Sequence, residues 1–401
     1  MRPSIMQRLG ISSLLASSIF MVSATAQAQQ TVKIGVLTPL TGSSASDGAW
    51  LMKGHDLAIE EINARGGIRS LNGAKVQLVV GDTQSKPETG RGEAERLIER
   101  EKVSGLVGGW TSAISTVIGQ VAERSEVPYV ISNAVADFLT EKNQKYVFRV
   151  SPKSKWAVEE VGKFLDVMAA RGMPVSKAAI IYDDGPYGQS VATNYRALLA
   201  AKKISVVADE SFRAGVSDLS TAVSKMRAGG ADVVFMAGLV NESIVLFRAM
   251  SAQSFRPMFV GYGQGHVQPA LLQSGKAVEG TFGIVEWMPD MNKDSVRKFV
   301  TAFEAKYKET PLATSAQAYV ATWAVIDAVE KARSADPKAV RDALASLKTK
   351  TGPVSLLPSD EFAFDASGQL PVGSVVAQVI NGKFVTVWPD SVAAQKMIPL
   401  K

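Results

Sequence analysis

Short apolar runs alternate with stretches of helical periodicity along most of the chain. Val32, Ile34, Val36 and Leu37 make a run that reads as a strand buried on both faces. A helix is predicted to follow, closing near Asn63, with Trp50, Leu51, Leu57, Ala58 and Ile62 on one face. Arg65-Gly66-Gly67 ends it, because glycine tolerates the left-handed turn of a helix exit. Strands are predicted at 75–81, 103–107 and 127–131, with helices at 87–101 and 113–124. The rhythm restarts at 178–182 and continues through strands at 204–211, 232–236 and 258–260. Helices at 187–201, 217–228 and 241–252 separate them. Parallel strands need a crossover helix, so this pattern predicts an α/β protein with parallel sheets in two lobes of about 120 residues each. Helical stretches at 292–309, 313–332 and 337–347 follow. The tail at 362–387 reads as strands, with Asn381-Gly382 as a hairpin signal.

The start of the chain has a different character. Two Arg and no acid lie in residues 1–8, and a serine-diluted apolar stretch spans 9–22. Small-x-small pairs occur at Ala24/Ala26 and Ala26/Ala28. That is the layout of a secretory signal peptide over residues 1–28, cut near Ala26 or Ala28. The apolar stretch is short for a span, which needs about 20 predominantly apolar residues. A free exported protein is expected.

Composition narrows the chemistry. Of 401 residues, 46% are hydrophobic and 20% charged, which suits a globular protein. Cys is absent and His occurs only at positions 55 and 266, which removes thiol nucleophiles and multi-His metal sites. The net charge of +6 is scattered, so no nucleic-acid surface is read. No metal and no cofactor is expected.

In doubly wound sheets, ligands lie beyond the carboxyl ends of the strands. Gly108-Gly109-Trp110-Thr111-Ser112 falls there, with Thr111 and Ser112 at a helix start suited to an anion. Ser112 is read either as this anion site or as a plain helix cap. Trp110 is either core or a pocket wall. Asp183-Asp184 before Tyr187 suggests a solvated turn or a metal-holding carboxylate pair. Asp47 either caps its helix or faces a ligand. The glycine-spaced 261–265 loop before His266 lacks the Lys-Ser/Thr ending of a phosphate loop. His55, inside the first helix among solvent-facing neighbours, is given no role.

Ile34 to Gly42, Glu61 to Ile68, Asp82 with Pro87, Phe148-Arg149 with Pro152, and Asp184 with Tyr187-Gly188 occur in one order between residues 34 and 188. In that order they resemble the leucine-binding family of periplasmic solute-binding proteins of ABC transporters. The resemblance implies a type I binding-protein fold, two Rossmann-like lobes joined by a three-segment hinge. The crossings fall near 150–153, 279–284 and 355–362. Lobe 1 is then 31–150 plus 284–355, and lobe 2 is 153–280 plus 360–390. It implies a receptor that is not an enzyme, and with no oligomer signal in the sequence a monomer is expected. Such a receptor delivers a small amino acid, amide or aromatic carboxylate to an inner-membrane permease.

Carried over by position, Ser112, with Trp110 and Thr111, meets the ligand carboxylate. Ala134, Val135 and Ala136 occupy the loop that usually supplies a hydroxyl. Tyr187 matches a second-lobe tyrosine, and Leu239 stands near where another tyrosine is expected. Gly263 stands where an acid usually meets the ligand ammonium. A buried ammonium without a counter-charge is strongly disfavoured. Either Asp47, Glu242 or Glu286 supplies the charge, or the ligand has no ammonium. Two rival readings are an exported metal enzyme built on Asp183 and Asp184, and a sensory domain of a membrane signalling protein.

Overall fold

The structure is a computed structural model that describes residues 31–263, 265–359 and 361–398. The signal segment expected at 1–28 lies outside them. The chain begins with β1 (Val32–Thr38), α1 (Ala45–Ala64), β2 (Val76–Asp82) and α2 (Pro87–Glu99). It continues through β3 (Gly105–Gly108), α3 (Ser112–Ser125), β4 (Tyr129–Ile131) and β5 (Val147–Arg149). These strands form a parallel sheet in the order β2-β1-β3-β4-β5. Their near-continuous apolar sequence fits burial on both faces, which only a helix-covered parallel sheet provides.

At 150–153 the chain crosses to a second sheet. Here lie α4 (Ser154–Ala170), β6 (Lys177–Asp183), α5 (Pro186–Ala201), β7 (Ser205–Phe212) and α6 (Ser220–Ala228). β8 (Val233–Ala237), α7 (Val240–Ala252), β9 (Met258–Tyr262), α8 (Pro269–Leu272) and β10 (Phe282–Val285) follow. The chain then returns to the first lobe for α9 (Asp294–Tyr307), α10 (Ala313–Ala332) and α11 (Pro337–Ala345). A small antiparallel pair, β11 (Lys348–Thr349) and β12 (Phe362–Ala363), comes next. Finally β13 (Val375–Ile380) and β14 (Lys383–Trp388) add an antiparallel hairpin, giving the order β14-β13-β10-β9-β8-β6-β7. Asn381 and Gly382 at its tip have φ of 52° and 69°, as a two-residue primed turn requires.

Two crossings differ from the sequence expectation. β10 pairs with β9 on one side and β13 on the other, so it sits inside the second sheet. The second crossing therefore follows Val285 rather than falling at 279–284. Gln369 bridges to Arg149, and the Leu370 N–H donates to the Arg149 carbonyl at 2.9 Å. Residues up to 370 thus stay with the first sheet, and the third crossing falls at 371–374 rather than 355–362. Strand propensity locates strands but does not say which sheet they join.

α1 and α10 pack closely in the first lobe. A Cβ on Gly54 would lie 2.1 Å from the Ser315 carbonyl oxygen, so glycine permits the approach. α10 is buried on nearly every side. It also covers His55, which is fully buried with Nδ1 2.7 Å from Thr322 Oγ1. The solvent-facing environment expected for His55 is corrected by this helix, and burial pushes its pKa down to about 3.

Candidate functional site

The carboxyl ends of the two sheets face each other across a cavity of about 260 Å³. That is just below the usual range of roughly 300–1,000 Å³ for small-molecule sites.

The first-lobe wall begins at the exit of β3. Gly108 and Gly109 have φ of 115° and 83°. A Cβ on Gly108 would sit 2.3 Å from the Leu37 carbonyl oxygen, and one on Gly109 2.0 Å from Tyr129 Oη. The turn is therefore open only to glycine, and it delivers Trp110, Thr111 and Ser112 to the cavity. Thr111 is the cap of α3, its side chain accepting from the Ile114 N–H at 3.4 Å. Ser112 is not the cap. Its Oγ accepts from the Ala136 N–H at 3.3 Å and ties two loops together. Trp110 is core and wall at once. It lines the cavity and packs on Leu51, Ala318 and, from the opposite lobe, Leu239. Its buried Nε1 has no hydrogen-bond partner.

Asn133, Ala134 and Val135 line the cavity from the exit of β4, but Ala136 does not. Its N–H is held by Ser112, and its carbonyl accepts from Arg149 Nη1 at 2.7 Å. Arg149 is fully buried and also donates to Gln369 Oε1 and Thr140 Oγ1.

The second-lobe wall comes from the strand ends of β6, β8, β9 and β10. Asp183 accepts from the Gly185 N–H at 2.9 Å. Burial pushes its pKa up to about 7, the Gly185 N–H opposes this, and Glu242 and Asp184 add to the rise. Tyr187 lines the cavity and donates its hydroxyl to the Tyr262 carbonyl at 3.0 Å. Leu239 and Gly263 line it too. Glu242, 6% exposed at the start of α7, accepts from the Gly215 N–H at 2.8 Å through Oε1. Its Oε2 is buried without a hydrogen-bond partner, as are Tyr262 Oη and Asn133 Oδ1. Glu286, 3% exposed, lines the wall after β10.

Asp47 does not line the cavity and makes no cap bond. It is buried in the first turn of α1. Burial, with the charge of Glu242, pushes its pKa up to about 7.

Asp183 and Asp184 do not form a metal pair. Asp184 is exposed and lies 3.9 Å from Arg213, while Asp183 turns toward the cavity. Among the described residues, no cluster of three or more His, Asp or Glu is placed to hold a metal ion. His266 is buried against Phe247 and Phe259, with Nε2 3.3 Å from Thr281 Oγ1. Among the described residues, no helix is long and apolar enough to cross a membrane.

Sequence reasoning named Glu242 and Glu286 as alternative sources of a counter-charge and did not single out Asn133 or Tyr262. Tyr262 sits at the carboxyl end of β9, a position the strand-end rule already marks.

Comparison with known proteins agrees with this geometry. Residues 31–383 match the profile of the periplasmic binding protein family. A Leu/Ile/Val-binding protein homolog 7 of Brucella abortus is 31% identical, covering 96% of this chain and 98% of that one. The branched-chain amino-acid substrate-binding protein LivJ of Streptococcus pneumoniae, solved with isoleucine, superposes with a TM-score of 0.80. It is 25% identical and covers 90% of this chain and 100% of its own. A Rhodopseudomonas palustris solute-binding protein solved with benzoate shares the fold with a TM-score of 0.78. It is 20% identical, with coverages of 92% and 97%. These relatives are binding proteins, not enzymes. With its two parallel-sheet lobes and the cavity between them, the chain belongs to the periplasmic binding protein family, among the solute-binding proteins of ABC transporters.

Proposed function

We propose that the chain is the exported, monomeric receptor of an ABC importer. It closes its lobes on a free amino acid and hands it to an inner-membrane permease, after residues 1–28 are removed. One observation carries the ligand assignment: the two walls are chemically opposite. The first lobe presents the start of α3 at Thr111 and Ser112, where free N–H groups and the helix dipole favour a carboxylate. The unpartnered Trp110 Nε1 adds a donor on that side. The second lobe presents Asp183, Glu242 and Glu286, and no Lys, Arg or His lines the cavity among the described residues. A zwitterion laid across the cleft satisfies both walls. Acid therefore reaches the cavity from β8 and β10 rather than from position 263. A benzoate-like ligand would leave the buried Glu242 oxygen unanswered, which costs free energy.

Hinge closure excludes water, strengthens both charge contacts and joins the two lobe surfaces into one face for the permease. The test is a thermal-shift screen of refolded, ligand-stripped protein against amino acids, amides and aromatic carboxylates. A ligand at 100 times its Kd adds about 2.7 kcal/mol of stability. Stabilisation by amino acids, with the ligand recovered unchanged, is the expected result. Stabilisation by benzoates alone would contradict the zwitterion assignment.

A further inference from the structure

The loop after β4 does more than line the cavity. Ala134 and Val135 face the cavity, and Asp137, a little further on, bonds to the opposite lobe. Asp137 Oδ1 accepts from the Lys155 N–H in the first turn of α4 at 3.0 Å. Oδ2 accepts from Asn194 Nδ2 at 2.6 Å and from Ser190 Oγ at 3.3 Å, both on α5. The Asp137 N–H donates to Ser190 Oγ at 3.1 Å. α4 and α5 belong to the second lobe, so this one first-lobe residue is bonded across the boundary through its backbone and both carboxylate oxygens.

The cluster has a consistent direction. Asn194 Nδ2 also donates to Ser154 Oγ at 3.0 Å, and the Ser154 and Ser190 hydroxyls are 2.8 Å apart. With Ser154 donating to Ser190 and Ser190 to Asp137, every donor points toward the carboxylate, and bonds in such a chain polarise one another. Both sides of the cluster lead to the cavity. Tyr187, Ser190 and Asn194 stand at i, i+3 and i+7 of α5 and share one face, so the helix that brings Tyr187 to the cavity brings the other two to Asp137. On the first-lobe side, the neighbouring Ala136 N–H is held by Ser112 Oγ of the cavity wall. A ligand between Ser112 and Tyr187 therefore completes a ring that crosses from lobe to lobe at Asp137.

We propose that Asp137, with Ser190 and Asn194, is the latch between the lobes. It is a positioning residue that holds the cleft shut and sets how slowly the cargo leaves. The proposal rests on the receptor reading above and adds the group that fixes the closed lobe angle. The bond to the Lys155 N–H lies just past the first crossing and caps α4, whereas the bonds to α5 part when the lobes open.

Two variants separate this from a merely structural role. Asp137→Asn keeps an oxygen for the Lys155 N–H and sets an NH2 group against Asn194. Asn194→Ala leaves Asp137 and its bond to α4 in place, and alanine suits a helix. The chain has no Cys, so Glu88→Cys and Arg213→Cys take spin labels. Both positions are exposed, on opposite lobes, next to the cavity residues Pro87 and Ala214. Pulsed electron paramagnetic resonance reads the distance between the labels with and without a mixture of the protein amino acids. Stopped-flow chase reads the dissociation rate of the amino acid that binds most tightly. Each variant is expected to move the ligand-free distances toward longer values and to speed dissociation about tenfold, with association within about twofold of the parent. The double variant is expected to add little to either single one, because both break the same contact. Unchanged distances and dissociation rates in both variants overturn the latch, and the receptor reading stands if amino acids still shorten the distance. If no amino acid shortens it in the parent, the amino-acid receptor reading fails, and unchanged ligand-free distances in the variants then overturn the latch as well.

Discussion

Replacing Arg149 with Met tests how the first-lobe wall of the cavity is held. The guanidinium is fully buried. Nε donates to Gln369 Oε1 at 2.6 Å, Nη1 to the Ala136 carbonyl at 2.7 Å and Nη2 to Thr140 Oγ1 at 3.0 Å. Burial lowers its pKa to about 10, with Asp137 the largest opposing influence, so it stays charged at neutral pH. Gln369 passes the connection on by donating to the Ser151 carbonyl at 2.8 Å. One side chain therefore joins the loop after β4 to the first and third crossings. Methionine keeps much of the stem and loses these three bonds, together with a longer one from Nη1 to the Ala134 carbonyl at 3.4 Å. Each bond to a charged group contributes about 1.5–3 kcal/mol, against a burial cost for the ion of several kcal/mol. Part of the loss is softened because the Ala136 carbonyl still accepts from the Leu139 N–H and the Ala134 carbonyl from Ser151 Oγ. The net destabilisation is about 3 kcal/mol, which lowers the melting midpoint by about 6–12 °C for a domain of this size. Differential scanning calorimetry reads the midpoint. Ligand titration reads the wall, where Ala134 and Val135 lose their backing and affinity falls about tenfold. Arg149→Lys keeps the charge without the planar fork and should fall between the two. A Met variant that melts within about 2 °C of the parent and binds as well would refute the reasoning.

Two further outcomes are expected. Gly109→Ala places a Cβ 2.0 Å from Tyr129 Oη and 2.5 Å from Ser115 Oγ at a φ of 83°. It should cost about 3 kcal/mol or more in urea denaturation, because strain and overpacking add; a cost below about 1 kcal/mol would show that the turn relaxes. Asp183 and Asp47 both sit at about 7 in the ligand-free protein, above their ordinary 3.8. The ammonium of a bound amino acid beside the second-lobe wall favours the ionised forms, most of all at Asp183 on the cavity, so binding should release protons and affinity should rise as pH goes from about 6 to about 8. Calorimetry in two buffers of different ionisation enthalpy counts the protons, and an affinity that falls over that interval would contradict the sign.

Much of the architecture was legible because it rests on local pattern. The apolar runs of β1, β3 and β8, the glycines after α1 and the Asn381-Gly382 turn each encode their element within a few residues. The place of the 108–112 turn beside the cavity was legible because strand, glycines and hydroxyls adjoin in sequence. The burial of His55 was not legible, because the covering helix α10 lies more than 250 residues away. Nor was the grouping of the acid wall: Asp183, Glu242 and Glu286 could each be named, but they are dispersed in sequence, and only the fold sets them on one wall. Asp47 and Ala136 erred in the opposite direction. Both stand beside residues of the wall, yet one is buried in α1 and the other is turned back toward Arg149.

The most direct test of the account is a crystal structure of the protein with the amino acid that stabilises it most. The account predicts the ligand between the lobes, its carboxylate within hydrogen-bond distance of the start of α3 and its α-ammonium against Glu242. A carboxylate bound on the second-lobe wall, or a ligand seated outside the cleft, would contradict it.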